Sequence, residues 1–197
     1  MKRKLLVGLV AGLFMVGMAG IASANVLDFD DLSGNASAIP NGYNGFNWQT
    51  NVNIGSYHGS DTTSGYYLLD PDGNVAFNYF GDDPSTITLA GPGTFTFNSA
   101  DWRSAWDISQ TLTIRGYFNN TELYSASTTI YRYQETTHWE LNWTGIDTLK
   151  IWTSDNQYAM DNFTYNGNTP VPEPATMLLF GTGLAGLVGM RRKKSKK

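Results

Sequence analysis

Thr111-Leu-Thr-Ile-Arg-Gly-Tyr-Phe118, the pair Asn119-Asn120, and Thr121-Glu-Leu-Tyr-Ser-Ala-Ser-Thr-Thr-Ile-Tyr131 together decide the fold. Two β-rich runs, Thr111 to Phe118 and Glu122 to Tyr131, flank Phe118-Asn119-Asn120-Thr121, which reads as a hairpin turn. Similar runs recur on both sides: Val26 to Asp30, Phe46 to Thr50, Asn53 to Tyr57, Val75 to Tyr79, Ser85 to Leu89 and Gly93 to Asn98 before it. His138 to Trp143, Asp147 to Thr153 and Tyr158 to Tyr165 follow it. Pro71-Asp72-Gly73-Asn74 and Gly91-Pro92-Gly93 are tight turns. Asp101 to Ile108 is read as one short helix or an irregular crossing. No segment sustains a helical period, and nothing repeats at a fixed interval, which argues against a propeller or solenoid. Many short strands in an antiparallel reading predict an all-β, two-sheet sandwich, a jelly roll.

The two ends do not belong to that fold. Met1-Lys2-Arg3-Lys4 is a positive n-region, Leu5 to Ile21 an apolar h-region, and Ala22-Ser23-Ala24 supplies small residues at a cleavage position. Residues 1–24 therefore read as a signal peptide cut after Ala24, handled by the Sec translocon and signal peptidase. At the other end Val171-Pro172-Glu173-Pro174 precedes an uncharged run from Ala175 to Met190, and Arg191-Arg192-Lys193-Lys194-Ser195-Lys196-Lys197 closes the chain. The prolines hold the chain extended before the run. Residues 175–190 can enter lipid as a transmembrane helix, though shorter than the roughly 20 residues usual for a span. The basic tail 191–197 marks the cytoplasmic side.

This end, residues 170–197, resembles the PEP-CTERM sorting signal of Gram-negative bacteria. The resemblance is carried by Pro172, Glu173, Pro174, the Gly-rich apolar run and the pair Arg191 and Arg192. It implies recognition by exosortase, a membrane-embedded cysteine protease and transpeptidase. It also implies a transient inner-membrane anchor and release toward the outer surface or extracellular matrix, in association with exopolysaccharide or biofilm.

Residues 25–169 remain as one domain, long enough for a core and too short to suggest two. Only Arg103, Arg115, Arg132 and Lys150 are cationic between the basic ends. They stand against 17 acids, Glu173 of the motif included, a balance of −13 that the whole-chain value of −4 hides. Nucleic acid and anionic lipid are poor partners for such a surface, and divalent cations are reasonable ones. With no cysteine, no disulfide braces the domain.

The domain carries a second, looser resemblance. Leu27-Asp28-Phe29-Asp30-Asp31-Leu32, Ile39-Pro-Asn-Gly-Tyr-Asn-Gly-Phe-Asn-Trp48, Leu112 to Tyr124, Gly145 to Ile151 and Tyr158-Ala-Met-Asp-Asn-Phe163 look like a recurring exported bacterial domain. Such domains are similar to the lectin-like jelly rolls of carbohydrate-binding modules. The resemblance implies first and last strands side by side, sharing a structural calcium ion between Asp28 or Asp30 and Asp161. Acids within apolar strand ends are costly unless exposed, hydrogen-bonded or cation-bound.

Chemistry of other kinds finds little support. Two histidines and no cysteine make a zinc site poorly supported. No Gly-x-Ser-x-Gly elbow and no phosphate-cradling loop is present. Ser56, His58 and Asp61 lie too close in sequence for a triad and read as a polar loop. No enzyme is expected. The competing class is a secreted glycan-active enzyme using a carboxylate pair, and a third is a structural surface protein without ligand. Six tryptophans offer sugar-stacking platforms, although most of them suit a sandwich core. Trp102 and Trp106, spaced i, i+4 beside Arg103, are expected outside the sheets and are the candidate ligand contacts.

Overall fold

The computed structural model describes residues 24–48, 54–79, 84–155 and 157–166. In chain order its elements are β1 (Ala24–Leu27), β2 (Asn35–Ala38), a 3-10 turn at Tyr43–Gly45, β3 (Phe46–Asn47), β4 (Ile54–Tyr57) and α1 (Gly65–Leu69). Then come β5 (Val75–Asn78), β6 (Ser85–Leu89), β7 (Phe95–Ser104), β8 (Ser109–Phe118), β9 (Thr121–Tyr131), β10 (Thr137–Ile146), β11 (Thr148–Thr153) and β12 (Tyr158–Asn166).

The expected hairpin is formed by β8 and β9, which pair Ser109 with Tyr131 at one end and Phe118 with Thr121 at the other. Asn119 and Asn120 both take positive φ, 47° and 63°, which matches the right-handed twist of the flanking strands. Asparagine tolerates that region better than most side chains.

Strands β3-β6-β11-β8-β9 form a five-stranded sheet. A seven-stranded sheet runs β10-β7-β12-β5-β4-β2, with β1 also paired to β12. Every described pairing is antiparallel. From β5 onward each connection passes to the opposite sheet, apart from the β8–β9 hairpin. Strands β8 and β11 alternate buried residues facing the space between the sheets with less buried ones facing outward, while β5 and β12 bury apolar residues on both faces.

Aromatics fill that space. Phe46, Trp48, Phe95, Phe97 and Phe163 are fully or almost fully buried. Phe46 meets Phe95, Phe163 and Tyr165 edge-to-face, with ring centroids 5.0, 5.7 and 4.8 Å apart. Burial of each such side chain stabilises the fold by about 2–3 kcal/mol. Trp143, Leu149 and Ile151 face this core as their alternation predicts, and Trp139 and Leu141 pack against it partly buried. A smaller cluster of Tyr66, Val75, Phe77, Ala105 and Ala159 lies apart from it, where α1 brings Tyr66 against β5, β12 and the end of β7. Gly65 makes that approach possible, because a Cβ there would stand 1.9 Å from the Ser104 carbonyl oxygen.

Two expectations need correction. Residues 101–104 are neither helix nor crossing. They continue β7, and only Ala105 to Ile108 form an irregular bend. Asn35–Ala38 is a strand that the sequence reading missed. The signal peptide through Ser23 and the C-terminal segment from Gly167 lie outside the described residues. No helix among the described residues is long and apolar enough to cross a membrane.

Candidate functional site

Strand β12 organises the region around the predicted acids. One edge pairs with β7 along its length. The other edge is shared, by β5 at Ala159 and Met160 and by β1 from Phe163 to Asn166. First and last strands are thus side by side, with Leu27 opposite Phe163. The register shifts after Asp161, where Asn162 takes φ 50°.

Asp161 is 5 % exposed. It stands directly across from Asp101 of β7, so two carboxylates are cross-strand neighbours. Asn162 Nδ2 donates to Asp101 Oδ2 at 2.9 Å and to Asp161 Oδ2 at 3.2 Å. Asp101 Oδ1 lies 2.6 Å from His138 Nδ1. Asp161 Oδ1 is buried and has no hydrogen-bond partner among the described residues. Burial is the main reason that the Asp161 pKa is pushed up to about 7. The Asp70, Asp30 and Asp101 carboxylates add to it, and the Asn162 amide opposes it.

Asp30, rather than Asp28, is the acid of the first segment whose charge reaches Asp161. Asp30 Oδ1 accepts from the Asn74 amide at 2.7 Å. Asp70 Oδ1 accepts from the amides of Asp72 and Gly73. Gly73 sits where a Cβ would come within 2.2 Å of both Asp30 Oδ1 and Asp70 Oδ2, so only glycine fits between these carboxylates. Asp28 is exposed, and its Oδ1 accepts from the Asp30 amide at 3.3 Å. Asp31 accepts from the Tyr43 hydroxyl at 2.6 Å; burial first, and then this carboxylate, hold the phenol pKa well above its usual value.

Asn74 is the organising residue that sequence reasoning missed. Its Nδ2 donates to the Leu32 carbonyl at 3.0 Å and reaches those of Phe29 and Asp30 at 3.4 Å. A turn-forming asparagine thereby becomes the clamp on the β1–β2 connection. The available signal was its place in Pro-Asp-Gly-Asn, which speaks to the turn and not to the distant carbonyls. Among the described residues, no group of three or more His, Asp or Glu side chains is arranged to hold a metal ion. Ser56 is buried within β4 and so is not part of the expected polar loop, whereas His58 Nδ1 contacts the Gly73 carbonyl at 2.6 Å and Asp61 Oδ1 accepts from the amide and hydroxyl of Thr63.

The two candidate tryptophans separate. Trp102 lies within β7, fully buried and edge-on to Tyr158 at 5.4 Å. It is a core residue, contrary to the expected place outside the sheets, because β7 runs on through Ser104 and turns its ring inward. Trp106 lies in the bend beyond β7, 39 % exposed. Its Nε1 donates to Gln157 Oε1 at 2.9 Å, and its ring meets Tyr66 edge-on at 5.6 Å. Pro172, Glu173, Pro174, Arg191 and Arg192 lie outside the described residues.

Two solved structures are among those to which the chain has a distant similarity. One is TmCBM61 in complex with β-1,4-galactotriose. It is 8 % identical at a TM-score of 0.37, covering 64 % of this chain and 93 % of that one. The other is a variant of CBM29-2, a family 29 carbohydrate-binding module. It is 12 % identical at a TM-score of 0.39, covering 74 % of this chain and 91 % of that one. Likeness at this level says nothing about what this chain binds. No curated protein sequence matches the chain. The family model of the PEP-CTERM protein-sorting motif matches residues 170–193. The chain therefore carries a PEP-CTERM protein-sorting motif behind its β-sandwich, which implies export and exosortase as the processing partner.

Proposed function

We propose that this is an exported protein whose sandwich reaches the outer surface or extracellular matrix once exosortase has processed its C-terminal end. There the sandwich works without catalysis, as a glycan-binding component of exopolysaccharide or biofilm matrix. The sorting motif at residues 170–193 is the observation that carries this reading. The fold supports it in one respect. Ala24 and Asn166 are register partners, so both segments that address the chain to a membrane join the sandwich at one corner. The succession of sheet-to-sheet connections favours the jelly-roll form of the sandwich. Mass spectrometry of the mature protein from its host tests the proposal. The expected product begins at Asn25 and lacks residues 191–197. Surface-located protein retaining Lys197 overturns it.

One observation favours the enzyme reading, namely the Asp101–Asp161 neighbours with one carboxyl pKa raised. Access weighs against it, since a carboxyl only 5 % exposed does not reach a glycosidic bond. Reducing-end release from a panel of polysaccharides, lost in Asp161→Asn, would establish the enzyme.

The calcium ion is a separate proposal for the corner between Asp30 and Asp161. Its support is the orphaned, buried Asp161 Oδ1. With only side-chain pairs on offer, backbone carbonyls would have to complete the shell. Such an ion stabilises by about 2.7 kcal/mol at 100 times its dissociation constant. A melting temperature identical in millimolar calcium and in chelator removes the ion and leaves a proton as Asp161's partner.

A further inference from the structure

The outer face of the five-stranded sheet is built differently from the rest of the body. Strand β8 turns Gln110, Leu112, Ile114 and Gly116 inward and Thr111, Thr113, Arg115 and Tyr117 outward. Strand β11 turns Leu149 and Ile151 inward and Thr148, Lys150 and Trp152 outward. Lys150 stands directly across from Arg115. Two like charges opposite each other destabilise an antiparallel pair. Here they use two of the only four cationic residues between the basic ends. The other two are engaged elsewhere: Arg103 donates to the carbonyls of Arg132 and Gln134, and the Arg132 guanidinium lies 4.3 Å from the Tyr133 ring centroid.

Each of the paired cations lies on an aromatic ring. The Arg115 guanidinium carbon is 5.0 Å from the Trp152 centroid, and Lys150 Nζ is 4.9 Å from that of Tyr117. These contacts lay the long side chains along the sheet and fix where their charged ends stand. Arg115 also pairs with Glu122 at 3.2 Å, an exposed contact of little strength. Lys150 has no carboxylate partner among the described residues. Rows of hydroxyls surround the four side chains. Thr148 is flanked by Thr88 and Tyr117, and Thr113 Oγ1 lies 2.8 Å from Ser127 Oγ. Beyond Thr148 the face opens into a groove of about 680 Å³, where Phe118, Asn119, Asn120 and Asp147 stand beside Thr88 and Thr148. Phe118 is 40 % exposed.

We propose that this face, from Trp152 to the Asn119–Asn120 turn, binds a polysaccharide bearing spaced carboxylates, with Lys150 and Arg115 meeting the carboxylates and Trp152 and Tyr117 stacking on sugar rings. The assignment rests on the glycan-binding reading above and gives it a surface and a ligand class. Rings and hydroxyls in alternation suit the C–H faces and hydroxyls of a sugar chain. Two adjacent cations in a chain whose balance between the basic ends is −13 suit an anion of low charge density. A nucleic acid needs many more phosphate contacts than two cations supply.

Affinity electrophoresis of the mature protein through gels holding polygalacturonate, neutral galactan or single-stranded DNA tests the assignment. Retardation by polygalacturonate is expected, weakening as salt rises from about 50 to about 500 mM. Lys150→Gln and Trp152→Ala should each weaken it by roughly tenfold. At about 150 mM salt, where surface charges are screened, Lys150→Gln should keep the wild-type melting temperature, which separates lost binding from lost folding. Retardation by polygalacturonate that is unchanged in both variants overturns the face and leaves the glycan reading standing. So does loss of retardation in Trp106→Ala alone. Equal retardation by neutral galactan overturns the ligand class. Stronger retardation by DNA, or none in any gel, overturns the assignment and the glycan reading together.

Discussion

Asp161 shows how one side chain can report on the whole corner it occupies. Its folded pKa is raised from 3.8 to about 7, so the fold favours the protonated acid. The contribution to stability is complete below the unfolded pKa. It is lost as pH rises toward 7, because over that interval the native state holds a proton that the unfolded chain has released. Stability should fall across this window with a slope of up to about 1.4 kcal/mol per pH unit and level off above it. Asp161→Asn removes the titrating group while keeping its shape. The variant should lose this slope and be the more stable protein at about pH 8 in chelator, by urea unfolding. A wild-type curve flat between about pH 5 and pH 8 would show that the carboxyl is ionised throughout. Gly65 makes a second, unconditional statement. Gly65→Ala drives a methyl into the Ser104 carbonyl and should destabilise by about 2 kcal/mol or more, read as a lower urea midpoint.

At the scale of elements, the pairing of β1 with β12 is the joint that holds the start of the chain to its end. Leu27 is 6 % exposed opposite Phe163, whereas Val26 is 54 % exposed. Leu27→Ala should cost about 2–4 kcal/mol in urea unfolding, and Val26→Thr less than about 0.5 kcal/mol. The contrast checks the register, since a one-residue slip would exchange the two results. Elements such as β8, β9, β11 and β12 were legible because alternation and β-branched or aromatic residues agree over many positions. Strand β2 was not. Asn35-Ala-Ser-Ala38 has no β-former, and its strand state comes from pairing with β4, across an irregularity at Ala36 with φ 50°. The end of β7 misled for the opposite reason, because Trp102 and Trp106 mimic a helical spacing while the backbone stays extended through Ser104. Helix α1 is only five residues, too short to show a period, although Ser64 caps it by accepting from the Tyr67 amide. Of the acidic corner, Asp161 was readable as an acid in the last strand, and Asp30 as an acid of the first segment, although β1 stops at Leu27 and leaves Asp30 in the turn beyond it. Asn74 and Asp101 were not, because their roles depend on which strands become neighbours.

At the scale of the molecule, one quantity acts on every element at once. Between its basic ends the chain has a balance of −13, and only three ion pairs are formed among the described residues, two of them through His138. Such a surface repels itself in the compact state more than in the expanded one. Raising salt from about 10 to about 150 mM shortens the screening length from about 30 to about 8 Å, so repulsion between well-separated exposed charges is largely screened. The melting temperature at about pH 8 should therefore rise by a few degrees over that interval in sodium chloride, with chelator present to exclude divalent ions. This gain must survive in Asp161→Asn, because it belongs to the charge of the whole surface and not to one buried carboxyl. Lys150→Gln should steepen it, since removing a cation deepens the net negative charge that salt has to screen. A melting temperature independent of salt in all three proteins would mean that the acids are spaced too widely to repel. The fold would then be held by its aromatic core with no electrostatic penalty to relieve.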